Sequence, residues 1–174
     1  MRKVEVVPHQ DAWKEKFADE AKKLQEVLEN EVINIYHIGS TSIPNIYAKP
    51  IIDILVEVKE ISTVDHYKME MEKLGYEAMG EYGIPGRRYF RKGGTERTHH
   101  VHVFQTGSKH IIRHLAFKQY LIAHHDVAQH YSNLKRRLAK QYPTNMEAYI
   151  NGKDPFIKEV EKRAIEWYKT YIQK

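Results

Sequence analysis

His37-Ile38-Gly39-Ser40-Thr41-Ser42-Ile43-Pro44 and, four residues later, Lys49-Pro50-Ile51-Ile52-Asp53-Ile54-Leu55-Val56 set a glycine and three hydroxyl side chains between two apolar runs. Residues 33–38 are rich in β-branched and aromatic side chains and predict a strand. Residues 50–58 are apolar at successive positions, the pattern of a strand covered on both faces, and predict the centre of a sheet. Pro50 falls at the first position, where a missing N–H does least harm. Between them, residues 39–49 read as a turn-rich connection. Gly39 lets the backbone come close to phosphate oxygens. Ser40 and Thr41 supply hydroxyl donors, and the amides after them add to these. Asp53 puts a carboxylate into an otherwise apolar strand, which is costly unless a cation stands beside it.

Outward from this centre, Asp11 is placed to cap a first helix carrying Trp13, Phe17, Ala21, Leu24 and Leu28 on one stripe. Ser62 begins a helix to about Leu74, which Gly75 ends. Residues 76–82, 87–92 and 98–105 predict three more strands, separated by the Gly83-Ile84-Pro85-Gly86 and Gly93-Gly94 turns. The remainder reads as helical. Ile111, Leu115 and Ile122 mark one helix, and Val127, Tyr131, Leu134, Leu138 and Tyr142 the next. Thr144-Asn145-Met146-Glu147 has the capping-box form. Asp154-Pro155 reads as a cap with proline at the first helical position, opening a last helix with Ile157, Val160, Ala164, Trp167 and Tyr171 inward. The expected class is α+β: one domain over residues 1–174, a mixed sheet with packed helices in two layers and a helical C-terminal portion.

The chain has 174 residues, 41% hydrophobic and 29% charged, the composition of a globular protein. It contains no cysteine, which excludes disulfides and thiolate metal sites. No apolar run approaches the roughly 18 residues of a membrane span, and the N-terminal residues do not read as a secretory signal, so a cytoplasmic location is expected. A formal net charge of +5 with eleven histidines suits anionic small molecules. No RNA- or DNA-reading motif is present, and polymeric nucleic acid is not the expected partner. Patterns for a serine-hydrolase elbow, a P-loop and a dinucleotide fingerprint are absent.

Further signature segments accompany the Gly-Ser and Asp-bearing strands. They are Gly83-Ile84-Pro85-Gly86-Arg87-Arg88-Tyr89-Phe90-Arg91-Lys92, Arg97-Thr98-His99-His100-Val101-His102-Val103, Arg113-His114-Leu115-Ala116-Phe117, Leu134-Lys135-Arg136-Arg137-Leu138 and Gly152-Lys153-Asp154-Pro155-Phe156-Ile157. Together they resemble the GrpB family over nearly the whole chain. The resemblance implies a nucleotidyltransferase-like α+β fold and kinship with the C-terminal domain of some dephospho-coenzyme-A kinases. Family members are described as predicted nucleotidyltransferases. One departure bears on activity. Nucleotidyltransferases usually carry a second carboxylate two residues after the first, and here that position is Leu55. Glu57 shares the face but lies two residues past Leu55, about 7 Å further along the strand.

The expected catalytic residue is Asp53, the alternative being a buried partner for Arg87 or Arg88. Expected phosphate ligands are Gly39, Ser40, Thr41, Lys49, Arg87 and Arg88, the arginines by two-point contacts or, alternatively, as a solvated basic edge. His100 and His102 alternate with Val101 and Val103, so both imidazoles share one face. With Asp53 they form an expected metal set for Mg²⁺, Mn²⁺ or Zn²⁺, nitrogen ligands favouring the last two. His110 and His114, four apart on a helix, have a chelating spacing but lack the intervening glutamate of a metalloprotease motif. Two readings stand. One is an enzyme that binds a nucleotide or another phosphate-bearing small molecule, with metal-dependent nucleotidyl transfer. The other is a non-catalytic binding or chaperone-like module that keeps the fold, which Leu55 favours.

Overall fold

In the computed structural model, described for residues 3–172, five strands form one mixed sheet in the order β1-β2-β5-β4-β3. Met1, Arg2, Gln173 and Lys174, which fall within the expected domain and the N-terminal reading, lie outside the described residues. The strands are β1 (Val32–Ile38), β2 (Ile52–Val58), β3 (Tyr76–Ala78), β4 (Arg88–Lys92) and β5 (His99–Gln105). The helices are α1 (Ala12–Leu28), α2 (Ile61–Val64), α3 (Lys68–Lys73), α4 (Lys109–Ala123), α5 (His125–Gln141) and α6 (Met146–Tyr171). The α+β class expected from the sequence is the one observed. β2 is internal, antiparallel to β1 and parallel to β5, as its two apolar faces require.

The period of two sorts the sheet into two unlike faces. Ile52, Ile54, Val56 and Val58 of β2 join Val101 and Val103 of β5 and Phe90 of β4 beneath Trp13, Leu24 and Leu28 of α1, with Val64 and Met71. The opposite parity carries Asp53, Leu55 and Glu57 on β2 and His100 and His102 on β5. There Leu55 packs with Ile38, Phe104 and Ile111 in a small apolar cluster. α4, α5 and α6 pack on one another around Ala116, Leu121, Ala128, Val160 and Ala164, and the connection contributes Ile43 and Ile46 to that core. A helical layer thus stands against the histidine face and covers it only in part. Among the described residues, no helix is long and apolar enough to cross a membrane.

Several boundaries differ from the sequence expectation. The helix expected from Ser62 to Leu74 is divided into α2, a 3-10 turn at Asp65–Tyr67 and α3. The division falls where Arg88 holds the Asp65 carboxylate at 2.7 Å. The strand expected over residues 76–82 stops at Ala78, because Gly80 and Tyr82 adopt positive φ and begin the turn. Asp154-Pro155 does not open a helix. Asn145, not Thr144, caps α6 through a side-chain bond from the Ala148 amide, and the helix runs through Pro155 without a break. Asp154 instead pairs with Lys158 one turn on, at 3.0 Å. Tyr171, expected inward, is exposed, and so is Ile122 of α4. On α1 the stripe includes buried Glu20, which accepts from Tyr76 at 2.6 Å and Lys92 at 2.8 Å.

Candidate functional site

β1 ends at Ile38, and Gly39 turns the chain with φ 72°, a conformation that favours glycine. A Cβ on Gly39 would lie 2.6 Å from Asp53 Oδ2, so the glycine is also what lets the turn close over the carboxylate. The turn Ser40–Ser42 is internally braced: the Ser42 amide bonds to Gly39 O and the Ile43 amide to Ser40 O, each at 3.1 Å. His37 Nε2 meets Thr41 Oγ1 at 2.9 Å, and its ring stacks on Phe17. Burial, then the positive charge of Lys118, pushes His37 down to about 4. It is therefore a neutral brace for the turn near pH 7. Lys118 fixes the same corner by donating to His37 O at 2.8 Å.

Asp53 sits opposite His100 in the parallel register of β2 and β5. Its Oδ1 lies 3.4 Å from His100 Nδ1 and 3.5 Å from His102 Nε2. The alternation of residues 99–105 therefore does bring both imidazoles to Asp53, with Val101 and Val103 in the core behind them. Burial alone would raise the carboxyl, but the hydrogen bonds from the two histidines outweigh it and hold Asp53 below the usual carboxylate range. The carboxylate keeps 28% of its side-chain exposure, toward the cleft.

Arg87 fixes the tautomer of His102. Its Nη1 lies 3.2 Å from His102 Nδ1, and a guanidinium can only donate, so Nδ1 accepts and Nε2 carries the proton toward Asp53. The same guanidinium donates to Glu81 O and Tyr82 O and lies over the Tyr89 ring. Arg87 is buried behind His102 and acts on Asp53 through it. Arg88 is turned away, held bidentately by Asp65. Neither arginine is among the cleft-lining residues, and neither supplies an ion pair to Asp53. Arg113 donates to His110 and lies 3.4 Å from His114, which sets a cation between the two rings spaced for chelation.

The cleft itself is about 170 Å³. Gly39, Ser40, Thr41, Lys49, Asp53 and His100 form its sheet side. Four of the six expected phosphate ligands are thus brought together. The opposite wall comes from the helical layer: Phe117 of α4, Tyr131 and Lys135 of α5, Tyr149 and Lys153 of α6. The sequence reading assigned these residues no site role. A signal existed, since Lys135 stands among Tyr131, Leu134 and Leu138 on the apolar stripe of α5, where a solvated lysine does not belong. Lys135 is 1% exposed. Burial, reinforced by Lys153 and Lys49, drives its ammonium well below the usual lysine range. Lys153 is lowered to about 8, by burial first and Lys49 second. Gly152 makes this juxtaposition feasible: a Cβ there would stand 2.6 Å from Leu138, one turn from Lys135.

A pair of metal ions requires carboxylates shared across roughly 3.5–4 Å. Leu55 occupies the second carboxylate position and belongs to the apolar cluster. Glu57 is engaged by Asn34, Tyr36 and Thr106. Among the described residues, no group of three His, Asp or Glu side chains has the arrangement of a metal site. The donor set here does not fit two ions.

Comparison with known proteins agrees with the signature segments. The GrpB protein family model matches residues 3–163. The UPF0157 protein YqkA of Bacillus subtilis is 49% identical over 97% of this chain, and the chain spans about half (49%) of YqkA. A dephospho-CoA kinase of Mycolicibacterium paratuberculosis is 21% identical over 94% of this chain and 46% of its own length. The crystal structure of GrpB from Enterococcus faecalis superimposes with a TM-score of 0.91 at 48% identity, covering 94% of this chain and 99% of that one. The chain belongs to the GrpB family.

Proposed function

We propose that the cleft binds a phosphate-bearing small molecule, a nucleotide or a simpler phosphate, between the Gly39–Thr41 turn and the helical wall. One observation carries the reading. Lys49, Lys135 and Lys153 converge with that turn on a single cavity, two of them at an energetic cost that an anion would remove. At about 170 Å³ the cavity has room for roughly ten waters, enough for a phosphate group or a short phosphate chain. A groove of about 680 Å³ shares Lys49 and Ile51 with it and continues past Thr95, Glu96, Arg97 and Thr98. The remainder of a larger ligand would extend there.

Ser40 and Thr41 offer hydroxyls and Lys49 a counter-charge, while Arg87 orders His102 and Arg88 remains outside. Asp53, held by His100 and His102, would orient an acceptor hydroxyl. Nucleotidyl transfer through a divalent metal on Asp53 is the second reading, favoured by the partial exposure of the Asp53 carboxylate beside the Gly39–Thr41 turn. Leu55 favours the non-catalytic alternative. A thermal-unfolding screen of phosphate, pyrophosphate, nucleotides and the matching nucleosides decides the first point. A ligand at about 100 times its Kd should add roughly 2.7 kcal/mol of stability. Equal shifts from nucleosides and nucleotides would refute phosphate recognition.

A further inference from the structure

Among the described residues, three buried polar atoms at the cleft have no hydrogen-bond partner: His100 Nε2, Tyr149 OH and Lys135 Nζ, the last lying 4.2 Å from the centre of the Tyr131 ring. Buried polar groups in native proteins are almost always satisfied, so each such atom calls for an explanation. An ammonium offers donors only, and the Tyr149 hydroxyl can donate as well. Both line the cleft, so the missing partner is an acceptor that enters it. Lys153 lies over the Tyr149 ring at 4.6 Å and Lys49 at 5.5 Å, so three amines from both walls meet in one cavity. Facing them is one carboxylate, Asp53, already approached by two imidazoles at Oδ1 and crowded by Gly39 at Oδ2. Neither Lys135 nor Lys153 has a carboxylate at ion-pair distance among the described residues, so an entering phosphate monoester or pyrophosphate would supply their counter-charge without a metal.

Resting on the phosphate-binding reading above, we propose that the lysines take the place of the divalent ions. In this reading Lys49, Lys135 and Lys153 neutralise a multiply charged phosphate, which the cleft accepts in its metal-free form. Lys135, at the buried end, is the ligand that distinguishes the site from a basic surface. Asp53 is then a repulsive neighbour of the anion, kept in place by His100 and His102, and not its bridge to a metal.

The two charge arrangements predict opposite signs for one substitution. Calorimetric titration of the full chain with pyrophosphate, in EDTA and separately in Mg²⁺, is the experiment. Binding should persist in EDTA. Lys135→Met should weaken it by about 10- to 100-fold, the size of a lost hydrogen bond to a charged group. Asp53→Asn should leave it unchanged or tighten it, because a like charge has been removed. Should Lys135→Met fold poorly, Lys153→Met provides the same comparison from α6. Binding only with Mg²⁺, or loss of binding in Asp53→Asn, overturns the lysine proposal and leaves phosphate recognition standing. Binding in EDTA that neither lysine variant weakens also overturns it. No binding under either condition overturns the phosphate reading itself.

Discussion

Gly39 and Lys153 are the residues where local chemistry constrains the site most. At Gly39 two requirements coincide, a positive φ and the absence of a Cβ against Asp53 Oδ2. Gly39→Ala should therefore cost about 1–3 kcal/mol in urea unfolding and abolish phosphate-dependent stabilisation. A change below roughly 0.5 kcal/mol, the usual surface range, would mean the turn relaxes freely. At Lys153 the consequence is a pH dependence. Its amine is depressed to about 8 in the folded protein, against about 10.4 in an unfolded chain. Below pH 8 the lysine is charged in both states, and the fold bears the desolvation cost. Between about 8 and 10.4 the folded protein has released the proton while the unfolded chain still holds it, so stability rises with pH and levels off above that window. Lys135, shifted in the same direction, adds to the effect, and Lys49 and Asp53 face the same cavity. Urea midpoints from pH 7 to 10 should climb without phosphate and flatten when saturating phosphate supplies the counter-charge. A falling midpoint across that window would show that neither amine is depressed.

Elements built on strong periodicity were legible before any coordinates. β2 declared itself central by apolar residues on both parities, and β5 placed His100 and His102 on Asp53's face by alternation alone. The sheet half of the cleft followed, because Gly39 and Asp53 lie on adjacent strands close in sequence. The helical half did not follow. Lys135 and Lys153 lie more than eighty residues beyond Asp53, and only the packing of α5 on α6 brings them to it. The arginines misled for a related reason. Composition marks Arg87 and Arg88 as basic but not that carbonyls, His102 and Asp65 already engage them. Pro155 misled as punctuation, since it sits ten positions into α6 and not at its start. The cap is testable. Asn145→Ala should lower stability by about 1 kcal/mol, the usual value of an N-cap. Asp154→Ala should change it by less than roughly 0.5 kcal/mol, because its pair with Lys158 is solvent-exposed. Comparable losses at both positions would place a second helix start at Asp154.

At the scale of the whole molecule, the sheet and the helical layer meet along a seam of few direct bonds. The Tyr47 amide donates to Ser132 Oγ, Gln129 to Asn45 O, and Lys118 to His37 O. Ile43 and Ile46 anchor the connection in the helical core, so the 39–49 segment belongs to both layers. The cleft occupies the same seam, with Gly39, Ser40, Thr41 and Asp53 on one wall and Tyr131, Lys135, Tyr149 and Lys153 on the other. An anion bound as proposed would contact both walls at once and cross-link them. Local opening of such a seam is governed by the weakest contacts across it, so ligand binding should suppress that opening on both sides together. Hydrogen exchange with and without pyrophosphate checks this. Protection should rise in residues 39–43, in the second half of α5 around Lys135, and in the first two turns of α6, while β3, at the far edge of the sheet, stays unchanged. Protection confined to the 39–43 turn would mean that the anion is held by the sheet alone, and the helical wall would lose its place in the site.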